Sequence, residues 1–267
     1  SPLGAKERTS GGKYEYVIDT DNHSVNATRY VYVDGFRFKD NQAAYTAADG
    51  SHTEAWAGRT AVGNKVEGNA LKVEGGTLTA AAYGGLVENN KLTAGGQPLT
   101  TGDAEKNTLT VTGGSVADGY GAKVTTKDGA AKTNTAEISS GTVTGSLYGG
   151  ALTHAGATGT ATGNSVTITG GTVGGDVYAA YTTGTGATTG NKVYLGDGES
   201  AIAAGTRVTG TIYGGSGTNA TDNELQVQGA GVTAGSIAHF SKVHFALNDY
   251  VPDGANVLSL TQNTALP

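Results

Sequence analysis

One stretch of this chain decides its fold: Asn164-Ser-Val-Thr-Ile-Thr-Gly-Gly-Thr-Val-Gly-Gly-Asp-Val-Tyr178. Related stretches begin, at intervals of about 30 residues, at five further asparagines, which are Asn69, Asn107, Asn134, Asn191 and Asn223. They share the pattern N-x-Φ-x-Φ-x-G-G-T-V-x-G-x-Φ-Y-G-G, in which Φ is an apolar residue. The last copy is degenerate beyond Val232. Repetition with this period is typical of a solenoid, in which each repeat is one structural unit.

Each repeat alternates apolar and polar residues, as in Val166 and Ile168 against Ser165 and Thr167. Strict alternation predicts short strands with one buried face. The Gly-Gly pairs suit sharp corners, since glycine adopts positive φ without a steric clash. Stacking the repeats at about 4.8 Å per coil pairs every strand with its equivalents above and below. A β-sandwich also fits short alternating strands, but it does not require one motif in register. The sequence therefore favours an all-β fold, a parallel β-solenoid.

In register, the repeats predict four columns of equivalent side chains. Two are interior apolar columns, one of Leu71, Leu109, Ala136, Val166, Val193 and Leu225, and one of Val73, Val111, Ile138, Ile168, Leu195 and Val227. The third is an amide ladder of the six asparagines that begin the repeats, for which turn chemistry is a sufficient structural reason. The fourth contains Tyr83, Tyr148, Tyr178 and Tyr213, with Tyr120 as a candidate fifth member.

The composition excludes several classes of function. Glycine supplies 45 of the 267 residues without a Gly-X-Y period, which excludes collagen. The sequence has no cysteine, which excludes disulfides, metal–thiolate sites and a thiol nucleophile. The formal net charge is −6 and there is no basic run, so neither nucleic acid nor an anionic membrane is a predicted partner.

The two ends of the sequence differ from the repeats. Residues 1–60 are rich in charged and aromatic residues and are predicted to form an N-terminal cap or irregular first coils, with a loop from Asp40 to Arg59. Residues 61–239 hold the predicted β-solenoid repeats. Residues 240–267 break the period and are predicted as strands around a Pro-Asp-Gly turn that lead to a downstream region.

Aromatic residues of the N-terminal region are the candidate ligand-binding residues. They are Tyr30, Tyr32, Phe36 and Trp56. Exposed aromatic side chains in loops are favoured contact residues, whereas the alternative is that these side chains cover the open end of the core. Burial of Trp56 distinguishes the two.

Two features resemble a known family. The repeats ending in Ser146-Leu-Tyr-Gly-Gly150 and Thr211-Ile-Tyr-Gly-Gly215 resemble those of type V autotransporter passenger domains, which are surface proteins of Gram-negative bacteria. The stretch from Phe240 to Thr261 resembles the segment that leads toward the outer-membrane β-barrel of such proteins. The resemblance implies a right-handed parallel β-helix at the cell surface, anchored by an outer-membrane β-barrel of the same polypeptide. It also implies adhesion to a host cell-surface protein or glycan, or self-association.

The sequence gives little support to catalysis. It has no serine-nucleophile motif of the Gly-Asp-Ser-Gly or Gly-Asp-Ser-Leu type, and Asp118, Glu137 and Asp176 are predicted at different repeat positions rather than in one column. His239 and His244 need a bend between them to share a metal ion. The chain is therefore predicted not to be an enzyme, with no catalytic, cofactor-binding or metal-binding residues. Two alternatives stay open: a glycan-cleaving β-helix enzyme, and a passive spacer whose adhesive tip lies elsewhere.

Overall fold

A computed structural model describes residues 5–10, 13–18, 38–60, 65–88, 102–247, 251 and 253–262. Within these residues the regular secondary structure is β-strand, apart from one 3-10 turn at Ala47–Asp49. One hairpin, Ala5–Ser10 with Lys13–Ile18, is antiparallel. The other strands pair in parallel and form three sheets, which the chain visits in the same order on every coil. The predicted all-β, parallel β-solenoid is confirmed.

The solenoid has seven complete coils among the described residues. They comprise residues 38–60, 66–87, 104–124, 131–152, 161–182, 188–213 and 220–238, and we number them coils 1 to 7. Each coil supplies a two-residue strand to the first sheet, a four-residue strand to the second sheet, and a long or divided strand to the third sheet.

The three sheets have these strands. The first sheet consists of Phe38–Lys39, Val66–Glu67, Ala104–Glu105, Ala131–Lys132, Ala161–Thr162, Thr188–Thr189 and Ala220–Thr221. The second consists of Gln42–Tyr45, Ala70–Val73, Thr108–Val111, Thr135–Ile138, Ser165–Ile168, Lys192–Leu195, Glu224–Val227 and Lys242–Phe245. The third consists of Ser51–Thr60, Thr77–Val87, Ser115–Val124, Thr142–Val143, Leu147–Leu152, Thr172–Val173, Val177–Thr182, Arg207–Tyr213, Val232–Ala238 and Leu258–Leu260.

The two predicted apolar columns are confirmed. In the second sheet Leu109 pairs in register with Leu71 and Ala136, and the neighbouring column follows the same register up to coil 7. These side chains are fully buried and form one core with the inward residues of the third sheet. Burial of each large apolar side chain contributes about 1.5–3 kcal/mol, so the repeated alternation is the main source of stability.

A buried asparagine ladder forms the corner between the first and second sheets, as predicted. Asn134 Nδ2 donates to Asn164 Oδ1 at 3.0 Å and to the Ala104 carbonyl oxygen at 2.9 Å. Asn134 Oδ1 accepts the backbone N–H and the Nδ2–H of Asn107, both at 3.0 Å. Every amide hydrogen-bonding group is thereby satisfied at a fully buried position. The ladder contains Asn41, Asn69, Asn107, Asn134, Asn164, Asn191 and Asn223.

The residue before each ladder asparagine has left-handed backbone. Glycine fills this position three times, but four coils use another residue, namely Asp40, Lys106, Thr133 and Asp222 with φ of 59°, 55°, 51° and 56°. Thr133 is β-branched, and such residues rarely adopt positive φ. The corner is therefore held by the surrounding hydrogen bonds even where the local residue opposes it.

The solenoid begins earlier than the sequence predicts. The stretch from Asp40 to Arg59 is a regular coil rather than a loop, because its strands pair in parallel with the strands of coil 2. Its asparagine, Asn41, is followed by alternating residues up to Tyr45, but no Gly-Gly pair follows them, which hid the repeat. The Tyr45 side chain is fully buried at the position that Val73 holds in coil 2.

The stretch after residue 239 also continues the solenoid. Lys242–Phe245 pairs in parallel with Glu224–Val227, and Leu258–Leu260 pairs in parallel with the first residues of Val232–Ala238. By this register Ser241 lies where an eighth asparagine would stand, and its Oγ accepts the backbone N–H of Asp222 at 2.9 Å. The amide ladder ends there, although the second and third sheets go on.

Candidate functional site

An aromatic ladder runs along the outer face of the third sheet. It contains Trp56, Tyr83, Tyr120, Tyr148, Tyr178 and Tyr213, one from each of coils 1 to 6. The predicted tyrosine column is confirmed, with Tyr120 as a member. The column also includes Trp56, which the sequence analysis had placed in the cap. In coil 7 its register position is occupied by Ala238.

The Tyr-Gly-Gly motif has a specific structural reason. In coil 4, Leu147 points into the core, Tyr148 points outward, and Gly150 lies against the asparagine ladder. A methyl group on Gly150 would come within 2.5 Å of Asn164 Oδ1. The second glycine of the motif therefore makes room for the buried amide, while the tyrosine beside it covers the outer surface.

The ladder rings stack nearly face to face. Consecutive centroids from Tyr83 to Tyr213 are 5.2, 4.6, 5.3 and 4.6 Å apart, and the ring planes differ by 17° or less. This spacing follows from the separation of parallel strands, about 4.8 Å. Because the faces cover one another, the rings present their edges and hydroxyl groups outward.

Exposure changes along the ladder. Trp56, Tyr83 and Tyr120 are buried, with 8%, 4% and 6% of their surface exposed, whereas Tyr148 and Tyr178 are half-buried. Two cations lie over the buried half. The Arg59 guanidinium is 4.9 Å from the Trp56 ring, and Lys123 Nζ is 5.1 Å from the Tyr120 ring.

The half-buried end of the ladder has a tyrosine patch, which we define as Tyr148, Tyr178, Tyr181 and Tyr213. The Tyr181 ring stands edge-on to two ladder rings, with its centroid 5.5 Å from that of Tyr148 and 5.0 Å from that of Tyr178. All four side chains are partly exposed. The patch is therefore an accessible aromatic surface on a rigid sheet.

Carboxylates flank the aromatic ladder, and the prediction that Asp118 and Asp176 occupy different repeat positions is wrong. Asp118 and Asp176 lie in one column with Ser146 between them, because Asp118 Oδ1 accepts the Ser146 backbone N–H at 2.8 Å and Ser146 Oγ accepts the Asp176 backbone N–H at 3.1 Å. Asp176 Oδ1 in turn accepts the Thr211 backbone N–H at 2.8 Å. The column was missed because the register shifts by one residue inside coil 3, between Val116 and Asp118, so that Asp118 and Asp176 stand at different distances from their asparagines.

Two ladder hydroxyls donate to carboxylates. Tyr83 Oη donates to Glu54 Oε1 at 3.3 Å, and Tyr178 Oη donates to Asp176 Oδ2 at 3.2 Å. Burial, reinforced by these nearby negative charges, raises the pKa of both tyrosines above the ordinary value of 10.0. Burial likewise raises the pKa of Tyr120 and Tyr148. These four phenols are therefore neutral at physiological pH.

The four predicted ligand-binding residues have different outcomes. Tyr30, Tyr32 and Phe36 lie outside the described residues. The Trp56 side chain packs with Tyr83 and Leu86 in an outer cluster of the third sheet and is largely covered. A ligand-binding role for these residues stays a prediction.

The two histidines considered as a metal pair lie beside different groups. His239 Nδ1 is 2.8 Å from the Gly215 carbonyl oxygen, and His244 Nδ1 is 3.9 Å from Glu224 Oε1. Among the described residues, no group of three or more histidine, cysteine, aspartate or glutamate side chains has the arrangement of a metal site. In the same part of the chain no helix has the length and hydropathy needed to span a membrane.

Comparison of the chain with protein-family models, with curated proteins and with solved structures gives no significant match. The site therefore has to be interpreted from its own chemistry.

Proposed function

We propose that this chain is a surface-displayed adhesive stalk of the autotransporter-passenger type, and that it is not an enzyme. The observation that carries the proposal is the tyrosine patch, a partly exposed aromatic surface held on a regular stack of coils. The autotransporter assignment rests on the resemblance of the Tyr-Gly-Gly repeats and of the stretch from Phe240 to Thr261.

The stalk role is supported by how the coils hold together. Seven coils at about 4.8 Å each give a rod about 34 Å long. Along it, every coil is joined to the next by backbone hydrogen bonds in three sheets and by one asparagine amide. Force applied along the rod is shared among these bonds, and each coil contacts only its neighbours. Such a rod suits the display of a binding surface away from a membrane.

The adhesive role is supported by the chemistry of the patch. Tyrosine is enriched in protein interfaces because it offers a large contact area, a hydroxyl group and few rotatable bonds. Stacking orders the rings of Tyr148, Tyr178 and Tyr213 in advance, which lowers the entropy lost on binding. The hydroxyls and the adjoining carboxylate of Asp176 provide hydrogen-bonding groups for a host protein or glycan, or for a second copy of the chain.

The geometry supports a glycan-cleaving enzyme less well. Glycosidases use two carboxylates, one to protonate the leaving group and one to attack or to activate water. Asp118 and Asp176 are two coils apart, about 10 Å by strand spacing. Each already uses one oxygen to accept a backbone N–H. The second oxygen of Asp176 accepts the Tyr178 hydroxyl, so this column is explained by its structural bonds.

Adhesion is tested with beads that carry the chain. The beads are presented to host cells, to matrix proteins, to glycans and to the same chain free in solution. We expect the beads to bind at least one of these partners. In Tyr181→Ser the affinity of that binding should fall at least about tenfold, as for an interface hot spot. Tyr181 is chosen because it stands beside the stack and not within it. The matched control is Tyr194→Ser, which changes a half-buried tyrosine on the outer face of the second sheet.

Three results would change the proposal. Binding that is equal in Tyr181→Ser and in the unchanged chain would move the adhesive surface away from the patch. The absence of binding to every partner would favour the alternative that the chain is a passive spacer. Release of reducing ends from a polysaccharide, lost in Asp176→Asn, would establish the enzyme instead. Surface display is checked separately by antibody labelling of intact cells, and labelling only after permeabilisation would contradict it.

A further inference from the structure

The aromatic ladder brings together the one tryptophan and five of the 13 tyrosines of this sequence, which are its side-chain types easiest to oxidise by one electron. Thiols and thioethers are usually oxidised first in proteins, but this sequence has no cysteine and no methionine. Phenols and indoles come next. The one tryptophan of the sequence, Trp56, heads a column of five tyrosines.

The ring spacing makes the five tyrosines a continuous electron-transfer path, and strand register places Trp56 at its head. Transfer between aromatic rings is fast at van der Waals contact and falls steeply with distance. The tyrosine centroids are separated by 4.6 to 5.3 Å, and Trp56 stands in register beside Tyr83. Trp56 and Tyr213 are five coils apart, about 24 Å, which is too far for efficient transfer in one step.

The ladder also has proton acceptors where oxidation needs them. A phenol that loses an electron becomes a strong acid, so a stable tyrosyl radical requires a group that takes the hydroxyl proton. Asp176 Oδ2 accepts the Tyr178 hydroxyl at 3.2 Å, and Glu54 Oε1 accepts the Tyr83 hydroxyl at 3.3 Å. Oxidation of either phenol can therefore release the proton along an existing hydrogen bond.

The two halves of the ladder differ in exposure rather than in charge. Arg59 lies over Trp56 but pairs with Glu88, and Lys123 lies 5.1 Å from the Tyr120 ring, while Glu54 accepts the Tyr83 hydroxyl. Trp56, Tyr83 and Tyr120 are buried, whereas Tyr178 is half-buried. A radical that reaches Tyr178 is therefore the one that a soluble reductant can meet.

We propose that the aromatic ladder is a one-electron relay that carries oxidation from Trp56 to the tyrosines of coils 4 to 6. A one-electron oxidant takes an electron from Trp56, and the indole loses its proton to water. The indolyl radical then takes an electron and a proton from Tyr83, which restores the tryptophan, and the same exchange repeats along the ladder until Tyr148 carries the radical. In the last step the Tyr148 radical takes an electron from Tyr178 and a proton from water, while the Tyr178 hydroxyl proton passes to Asp176 along the existing hydrogen bond. A soluble reductant of the thiol or ascorbate class returns one electron and one proton at this accessible end.

The absence of cysteine allows a direct test. Thr53→Cys introduces a single thiol at an exposed position of the strand that carries Trp56, and a ruthenium polypyridyl photo-oxidant is attached there. A light flash in the presence of a sacrificial electron acceptor, which takes an electron from the excited complex, produces the ruthenium(III) oxidant. A nitrone spin trap captures the radical, and mass spectrometry locates the adduct. In this labelled chain we expect the adduct on Tyr178 or Tyr213, and we expect ascorbate to abolish it.

Interruption of the ladder gives the decisive comparison. Tyr120→Phe keeps a stacked ring at this position, but the new ring is much harder to oxidise than a phenol. The adduct on Tyr178 and Tyr213 should therefore fall at least about tenfold, as expected from a modest added barrier to electron transfer. Tyr148→Phe provides a second interruption if the first perturbs folding, which circular dichroism would show. Tyr194→Phe, on another sheet, should leave the adduct unchanged. Asp176→Asn keeps an oxygen that can accept the Thr211 N–H, but it removes the carboxylate that takes the Tyr178 hydroxyl proton. The radical should then no longer settle on Tyr178.

Two outcomes would overturn the relay. One is an adduct confined to Trp56 and Tyr83 in the labelled chain. The other is an adduct on Tyr178 that persists undiminished in both phenylalanine variants with intact folding. Neither outcome bears on adhesion, since bead binding is measured without light or oxidant.

Discussion

The asparagine ladder and the aromatic ladder each place one kind of side chain at the same position of successive coils, but they tolerate different degrees of change. All seven complete coils have asparagine at the corner between the first and second sheets. The outer column has tryptophan in coil 1, tyrosine in coils 2 to 6 and alanine in coil 7. The buried position therefore allows one residue type, and the outer position allows several.

The difference has a physical reason. In the asparagine ladder each side-chain oxygen accepts two N–H groups, and each side-chain NH₂ donates to two oxygens, at positions that water does not reach. No other side chain of that size has both this acceptor and these donors. In the aromatic ladder the stabilising terms are ring stacking and apolar burial, which depend on shape and area. A column fixed by hydrogen bonds is thus conserved along the rod, whereas a column fixed by packing can change gradually and can acquire an exposed end.

Alkaline pH should separate the two ladders most strongly. The pKa values of Tyr83, Tyr120, Tyr148 and Tyr178 are raised above 10.0, chiefly by burial. The folded chain therefore holds these protons after the unfolded chain has lost them. Stability should be unaffected by these groups below about pH 10 and should fall steadily above it, since the unfolded state then binds fewer protons. The asparagine ladder has no group that titrates there.

This effect is measured by recording circular dichroism and phenolate absorbance together during an alkaline titration. Phenolate formation by these four tyrosines should coincide with loss of β-structure. The chain in denaturant serves as the reference, in which the tyrosines should ionise near pH 10. Complete phenolate formation near that pH with β-structure retained would contradict the raised pKa values.

Among single substitutions, Asn134→Ala should have the largest effect. It removes the acceptor of the Asn107 backbone N–H and side-chain amide, and the donor to Asn164 and Ala104. Each buried group left without a partner costs about 1–3 kcal/mol, so the free energy of unfolding should fall by about 4 kcal/mol. Urea denaturation provides the measurement. Asn41→Ala, at the end of the described ladder, is the matched control and should cost about 1 kcal/mol. Equal losses at both positions would show that the amides do not act as a ladder.

Truncation of the aromatic ladder should cost less and should follow exposure. Tyr120→Ala removes a buried ring between two stacked neighbours and should lower the free energy of unfolding by about 3 kcal/mol. Tyr213→Ala removes a half-buried ring at the end of the stack and should cost about 1 kcal/mol. Thermal unfolding distinguishes the two. A larger loss of unfolding free energy in Tyr213→Ala than in Tyr120→Ala would mean that the half-buried end of the ladder contributes more to stability than the buried half.

The sequence predicted the columns better than it predicted their ends. The asparagine and apolar columns could be found because the apolar residues stand two and four positions after the asparagine in every repeat, and the tyrosine column because an apolar-Tyr-Gly-Gly end recurs in coils 2, 4 and 6. Coil 1 was missed because Tyr45 replaces a small apolar residue and no Gly-Gly pair follows it. The carboxylate column of Asp118 and Asp176 was missed because coil 3 is one residue shorter than coil 5 between its asparagine and its tyrosine. The register shifts between Val116 and Asp118, and such a shift is visible in the strand pairing but not in the repeat pattern.

The smallest of these effects concerns the turn beside the asparagine ladder. Thr133 has φ of 51°, and the equivalent residue of the next coil is Gly163 with φ of 63°. A β-branched residue in this region costs about 1–3 kcal/mol, and the greater freedom of glycine in the unfolded chain offsets part of the gain. Thr133→Gly should therefore raise the free energy of unfolding by about 0.5–1 kcal/mol. Gly163→Thr should lower it, because the new Cβ is also only 3.3 Å from Thr133 Cγ2. Urea denaturation of the two variants checks the signs. A loss in Thr133→Gly would mean that the threonine side chain contributes more to the corner than its backbone conformation costs.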